Sequence, residues 1–197
     1  IYDMLLQYGI PGAELVRLPG GEVWDGIRGE LWEVSPLRQK LASYQDMRAM
    51  LANGSTDADV TAELVWVGMG TDEELDRADV AGKIVVTEGS MSGVHSAACL
   101  ERGALGVVNI ANGRPNFDPL QIPWSGIRSR GGGEGDPKFG FFIPPREAEV
   151  LKRRLQAGET ITVHAQGRCR IGCDLPPVLV FLQTRSGHDH HHRGATG

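Results

Sequence analysis

Hydrophobic and polar positions alternate with two distinct periods along this chain. Apolar residues at positions 1, 4, 5 and 8 follow helical spacing, and Gly9 supplies a stop. Residues 13–18 alternate and predict a short strand; residues 30–34 predict another, closed by Pro36. Residues 53–59 are polar and turn-like, and residues 60–67 (VTAELVWV) predict a strand. Thr71 stands where it would cap a short acidic helix over 72–77.

The pattern is clearest in the centre. Residues 83–87 form a β-branched run between Gly82 and Gly89. Residues 90–102 carry Met91, Val94, Ala97 and Ala98 on one helical face, and Gly103 ends the helix. Residues 104–110 make a second short apolar strand. Strand, helix and strand with tight glycine punctuation predict a parallel βαβ unit. Residues 112–138 are rich in Gly and Pro and read as a long mobile loop. Residues 139–143 predict a strand. Pro144 and Pro145 then open a helix at positions where a missing N–H costs nothing. Ala148, Leu151 and Leu155, with Val150 beside them, give it an apolar face, and Gly158 closes it. Residues 160–165 alternate as a final strand. The class is α+β, with mixed strands and flanking helices. No internal repeat or low-complexity tract is present.

Composition changes this picture at the ends. The 197 residues suffice for one domain plus a remainder, and 27 Gly with 11 Pro predict many turns. A net charge of −5 argues against a nucleic-acid partner, which needs a basic surface. No apolar run approaches the ~20 residues of a membrane span. The chain opens on Ile1 with no signal-peptide pattern, so it reads as a piece of something longer or a processed product. Three cysteines form no complete disulfide framework. Residues 166–197 hold Cys169, Cys173, His188, His190, His191 and His192, with no Lys and no Glu. That stretch is read as an atypical, flexible tail.

Several motifs invite a chemical reading. His188, His190 and His192 alternate, so extended backbone would put three imidazoles on one face, as a zinc site requires. The ordinary reading is a His-rich terminal tract that binds metal loosely. Cys169 and Cys173 lack a second pair for a structural zinc site and are read as free thiols or an incidental disulfide. Gly89-Ser90-Met91-Ser92-Gly93 sits where a nucleophile elbow would, but its centre is Met91, so it reads as a tight turn with a capping Ser. Gly68-Met69-Gly70 has Glu73 where the third glycine of a dinucleotide fingerprint belongs, and Gly131-Gly132-Gly133 lacks the Lys-Ser or Lys-Thr of a P-loop. The acidic run from Asp72 to Asp79 lacks calcium-loop spacing and reads as a solvated helix face. His95 is read as a partly exposed surface histidine. Trp24, Trp32 and Trp66 are assigned to packing. Trp124, next to Ser125 in a Pro123-Trp124-Ser125-Gly126 loop, is the candidate contact for a substrate or protein partner. No catalytic residue and no metal ligand is assigned.

These segments also carry a family resemblance. Residues 82–110, with Gly82-Lys83-Ile84-Val85 and later Gly103-Ala104-Leu105-Gly106-Val107-Val108, resemble the core of a protease-associated domain. Residues 139–165 resemble that domain's closing strand, helix and strand. Residues 1–59 resemble the N-terminal edge of the catalytic domain in bacterial dizinc aminopeptidases of the glutamate-carboxypeptidase-like family. The resemblance implies a lead-in at 1–59, a protease-associated domain at 60–165 and an unrelated tail at 166–197. It implies an extracellular or periplasmic parent whose two zinc ions sit in a catalytic domain beyond these residues. No zinc ligand is carried onto this sequence. The expectation is a non-catalytic module that contacts the catalytic peptidase domain or a peptide or protein substrate and shapes substrate access. The alternative is the N-terminal part of an active metallo-aminopeptidase whose zinc-binding half is missing or frame-shifted near residue 166. A third reading makes residues 176–184 a strand and the histidine tract functional.

Overall fold

The structure is a computed structural model. It describes residues 2–9, 13–17, 23–110, 118–122, 124–127, 139–172 and 178–182. The chain divides into two compact units, Ile1–Val23 with Gly172–Gly197, and Trp24–Ile171.

The first unit holds helix α1 (Tyr2–Gln7) and a two-stranded antiparallel sheet. Its strands are β1 (Ala13–Arg17) and β9 (Val178–Leu182), paired from Ala13↔Leu182 to Arg17↔Val178. Gly9 ends α1 with φ of 65°, a left-handed conformation that glycine adopts without strain.

The second unit is built on a seven-stranded mixed sheet in the order β3-β2-β8-β4-β5-β6-β7. Strands β2 (Val23–Ser35), β3 (Gln39–Ser43), β4 (Ala58–Trp66) and β8 (Thr162–Gly172) form its antiparallel half. Strands β5 (Ile84–Thr87), β6 (Gly106–Asn109) and β7 (Phe139–Phe142) continue it in parallel from β4. The two edges come close together. After β3 a 3-10 turn (Arg48–Met50) delivers Leu51 to an antiparallel bridge with Phe141 on β7. Ala52 N–H then donates to the Gly140 carbonyl at 2.9 Å. The sheet is therefore nearly a barrel, and the fold is α+β.

Every residue of β5, β6 and β7 is buried, which explains their continuous apolar runs. Both faces of this half are covered. On one face Val65, Val85 and Val107 pack with α2 (Asp72–Ala78) and α3 (Met91–His95) through Leu75, Met91 and Val94. On the other, Leu64, Ile84, Val86 and Val108 pack with α4 (Pro145–Gln156) through Ala148 and Leu151.

The βαβ reading holds: β5 and β6 pair in parallel from Ile84↔Gly106 to Thr87↔Asn109. Thr71 does cap α2, and it forms a full capping box with Glu74. Several expectations are corrected. Strand β2 is far longer than 30–34, running from Val23 to Ser35 between β3 and β8 in the sheet. Strand β3 was not foreseen; its QKLAS sequence lacks a clean apolar alternation. The helix after β5 turns to π geometry over Ser96–Leu100. Val150 is 55% exposed and does not belong to the buried face of α4. Strand β8 runs to Gly172, so residues 166–172 are strand despite their change in composition. A strand also exists at Val178–Leu182, within the 176–184 segment. Most of the 112–138 loop lies outside the described residues. Among the described residues no helix is long and apolar enough to cross a membrane.

Candidate functional site

The carboxyl ends of the parallel strands collect the loops of the βαβ unit. Thr87 Oγ1 donates to the Gly68 carbonyl at 2.9 Å and accepts from Gly89 N–H at 2.9 Å. Asn109 Nδ2 donates to the Gly89 carbonyl at 2.7 Å. These buried polar groups lock the turn after β4 to the turn after β5, since burial without a partner would be costly. Gly89 has no alternative, because a Cβ there would collide with the Met69 carbonyl. Ser90 occupies the N-cap of α3, but its hydroxyl makes no capping bond and lies 3.4 Å from Ser92 Oγ.

Ser92 also lines a groove of about 370 Å³ with Asn53, Trp124, Ser125 and Ile127. The Trp124 loop is held to the segment after the 3-10 turn by a parallel bridge between Asn53 and Gly126. Asn53 N–H donates to the Ser125 carbonyl at 3.2 Å, and Ile127 N–H donates to the Asn53 carbonyl at 2.9 Å. Gly126 is required there, because a Cβ would strike the Asn53 carbonyl oxygen. Ile127 anchors the loop in the core, while Trp124 stands 79% exposed beside it. An exposed aromatic on a backbone-clamped rung would lose little entropy on contact with another surface. The other tryptophans are half-buried. Trp24 Nε1 donates to the Ser55 carbonyl at 2.7 Å, Trp32 Nε1 donates to Glu30 at 3.1 Å, and Trp66 lies under Lys152. The sequence pointed to Trp124 and Ser125, but not to Asn53 or Ser92. Only an Asn53-Gly54 turn signal was present, and nothing in it marks a partner some 70 residues away.

The remaining candidates separate cleanly. His95 is fully buried on α3, not partly exposed as expected. Asp72 and Asp76 clamp Arg102 at 2.9 and 2.7 Å, which accounts for part of the acidic run. Gly68 and Gly70 form a left-handed turn with φ of 56° and 72°. His188, His190, His191, His192, Cys173 and the glycines at 131–133 lie outside the described residues. Among the described residues no three of His, Cys, Asp or Glu converge to hold a metal ion.

Cys169 is a free thiol on β8. Burial, with Asp57 nearby, pushes its pKa up to about 11. That disfavours the thiolate that zinc or an electrophile would need. Cys169 should therefore alkylate with iodoacetamide at pH 8 about two orders of magnitude more slowly than a free cysteine. Mass mapping of the labelled residue checks this; labelling at the free-cysteine rate would contradict it.

A larger cleft, of about 550 Å³, opens where β2, β4 and β8 meet, lined by Arg28, Asp57, Asp59, Gln166 and Arg168. Its charges are largely satisfied internally. His164 Nε2 lies 2.7 Å from Asp59, and this hydrogen bond holds the Asp59 carboxyl below its ordinary value. Arg28 donates to Gln166.

No protein-family profile matches the chain, and no curated protein matches it. Solved structures do. An aminopeptidase from Aneurinibacillus sp. strain AM-1 is similar at 22% identity and a TM-score of 0.57, over 91% of this chain and 38% of that one. A peptidase M28 precursor from Shewanella amazonensis SB2B is similar at 15% identity and a TM-score of 0.59, over 91% and 41%. A zinc aminopeptidase from Bacillus subtilis is similar at 15% identity and a TM-score of 0.54, over 91% and 38%. At these identities the likeness is one of fold, and the chain spans about two fifths of the length of each, 38–41%. This chain thus shares its fold with a part of two solved aminopeptidases and of a solved peptidase M28 precursor.

Proposed function

We propose that this chain is the protease-associated part of a zinc aminopeptidase, acting as a non-catalytic module. The observation that carries the reading is the shared fold over 91% of the chain, matched to about two fifths of two aminopeptidases and a peptidase M28 precursor. The central parallel βαβ unit and the near-barrel sheet support it, as do the segments 82–84 and 103–108 that lead into β5 and β6. In this reading residues 60–165 are the protease-associated domain, residues 1–59 lead in from the catalytic domain, and residues 166–197 form the tail. The parent is extracellular or periplasmic, and its two zinc ions belong to its catalytic part. The module shapes substrate access or makes protein contacts through Trp124 and Ser125, against the catalytic peptidase domain or a peptide or protein substrate.

The test is cleavage of aminoacyl-anilides by the purified chain with added zinc. The expected result is no turnover above buffer. Chelator-sensitive turnover would overturn the module reading and favour an active metallo-aminopeptidase.

A further inference from the structure

The cleft of about 550 Å³ over β2, β8 and β4 holds charges that its internal bonds leave unused. Its charged side chains share one face of the sheet. Asp59 pairs with Gln166 across the β4–β8 ladder, and Ala58 pairs with Gly167. Paired residues point the same way and successive residues point opposite ways. Asp57 and Asp59 therefore rise on the same side as Gln166 and Arg168. Exposure follows this alternation, since Asp57, Asp59 and Thr61 are exposed while Ala58 and Val60 between them are half-buried. Arg28 joins the same face from β2, because its Nη2 donates to the Gln166 side chain.

The strand order β2-β8-β4 sorts these charges by sign, with guanidinium groups on the first two strands and carboxylates beside β4. Asp57 and Arg168 stand at the next rung after Ala58↔Gly167, yet they do not pair with each other. Asp57 turns Oδ1 to the Cys169 N–H at 2.7 Å, which leaves its second oxygen open to the cleft. Arg168 is exposed and makes no ion pair or hydrogen bond among the described residues. Arg28 spends one N–H on a neutral amide and keeps its other donors. The neighbouring charges are taken, Asp59 by His164 at 2.7 Å and Arg170 by Asp25 at 3.6 Å.

An anion alone would meet Arg28 and Arg168 but would be repelled by Asp57 and Asp59. A ligand with a carboxylate at one end and an ammonium at the other satisfies both sides. Adjacent strands lie about 4.8 Å apart, so the two ends must be separated by more than the single carbon of a free amino acid. A dipeptide, at about 3.5 Å per residue, has that reach.

We propose that this cleft binds a short peptide with both termini free, its carboxylate held by Arg168 and Arg28 and its ammonium by Asp57. Guanidinium groups suit the planar carboxylate. The site needs no metal, and the inference does not depend on the aminopeptidase reading.

The test is calorimetric titration of the whole 197-residue chain with Ala-Ala. A chelator is present, so that no metal-dependent turnover adds heat. N-acetyl-Ala-Ala, which lacks the ammonium, and Ala-Ala-amide, which lacks the carboxylate, serve as comparisons. Ala-Ala should bind with a Kd below about 1 mM, and at least about 10-fold more tightly than either comparison. Added salt should weaken it. Arg168→Gln should weaken it about 5-fold with an unchanged melting temperature, because Arg168 is exposed and holds nothing in the fold. Asp57→Asn keeps an acceptor for the Cys169 N–H and should weaken Ala-Ala to a similar degree. If that variant does not fold, Arg168→Gln alone decides. Equal binding of either blocked peptide would overturn the proposal, as would an unchanged affinity in Arg168→Gln or the absence of binding by Ala-Ala.

Discussion

Arg154→Met should cost about 3–5 kcal/mol of folding stability, because it strands a buried carboxylate. Glu33 is 0% exposed on β2, 121 positions away in sequence. Arg154 reaches it from α4 with two parallel bonds, Nη1 to Oε2 at 2.8 Å and Nη2 to Oε1 at 2.6 Å. This fork geometry suits guanidinium and carboxylate and makes the pair strong. Gln39 Nε2 and Leu37 N–H fill the remaining acceptor sites at 2.8 and 3.2 Å, and Glu159 grips the far side of the guanidinium. Desolvation pushes the Glu33 carboxyl upward, but the bonds from Arg154, Gln39 and Leu37 outweigh it. Its pKa therefore lies below the ordinary 4.5. The Glu33 and Glu159 bonds likewise hold Arg154 above its own ordinary value.

The sign of the pH dependence follows from these shifts. A depressed carboxylate stabilises the fold above its unfolded pKa, and that stability is lost as pH falls through the folded pKa. The native protein should thus lose this contribution below about pH 4.5. In Arg154→Met desolvation prevails, so Glu33 resists ionisation and the fold gains when it is protonated. The gap between variant and native stability should narrow from pH 7 to pH 5. Urea unfolding at both values measures this, and a gap independent of pH would refute the assignment. The double variant Glu33→Gln with Arg154→Met removes both charges and should recover part of the loss. It serves equally if the single variant does not fold.

The same pair shows what the sequence could and could not reveal. Local signals were legible where one residue decides one feature. Thr71 caps α2, Gly9 stops α1, and Pro145 opens α4. The IVVT and GVVN runs gave the parallel centre because both faces of those strands are buried, which leaves a continuous apolar signature. Strand β3 was hidden because its QKLAS sequence lacks a clean apolar alternation, and the ends of β2 and β8 because their outer positions are exposed. Glu33 and Arg154 carry no mark of their pairing, since each reads as an ordinary charged residue. Val150, beside the apolar face in sequence, faces outward because α4 packs through a narrow stripe of Ala148, Leu151 and Leu155. The exposure of Trp124 is consistent with its place in a Pro-Trp-Ser-Gly loop, outside any periodic face. Its clamp on Asn53 was not legible, since that contact is backbone to backbone and leaves no trace in side-chain chemistry. His95 was misjudged because neither its turn of helix nor the π geometry that follows is fixed by local periodicity.

Phe141→Ala should be as damaging as loss of Arg154, at about 3–5 kcal/mol, for a different reason. Phe141 is 0% exposed at the middle of β7. Its ring packs edge-on against Phe139, with centroids 5.9 Å apart at 64°, which adds to the area it buries. It also bridges to Leu51, where the two edges of the sheet come together. The neighbouring Gly140 cannot compensate. Ala52 Cβ and Met91 Cε already stand 2.9 and 3.0 Å from where its own Cβ would lie, so that side is filled. A void at Phe141 therefore persists, and the lost contacts fall on the seam of the near-barrel. Two amides report on that seam. Ala52 N–H donates to the Gly140 carbonyl at 2.9 Å, and Gly140 N–H donates to Ser55 Oγ at 3.1 Å. Both should exchange with solvent faster in Phe141→Ala by more than the global loss of stability accounts for. Val150→Ala, on the exposed face of α4, should change stability by no more than about 0.5 kcal/mol. If Phe141→Ala costs under about 1 kcal/mol, or the two amides keep their native protection, the seam is not held by Phe141. The closure would then rest on the backbone bridge alone.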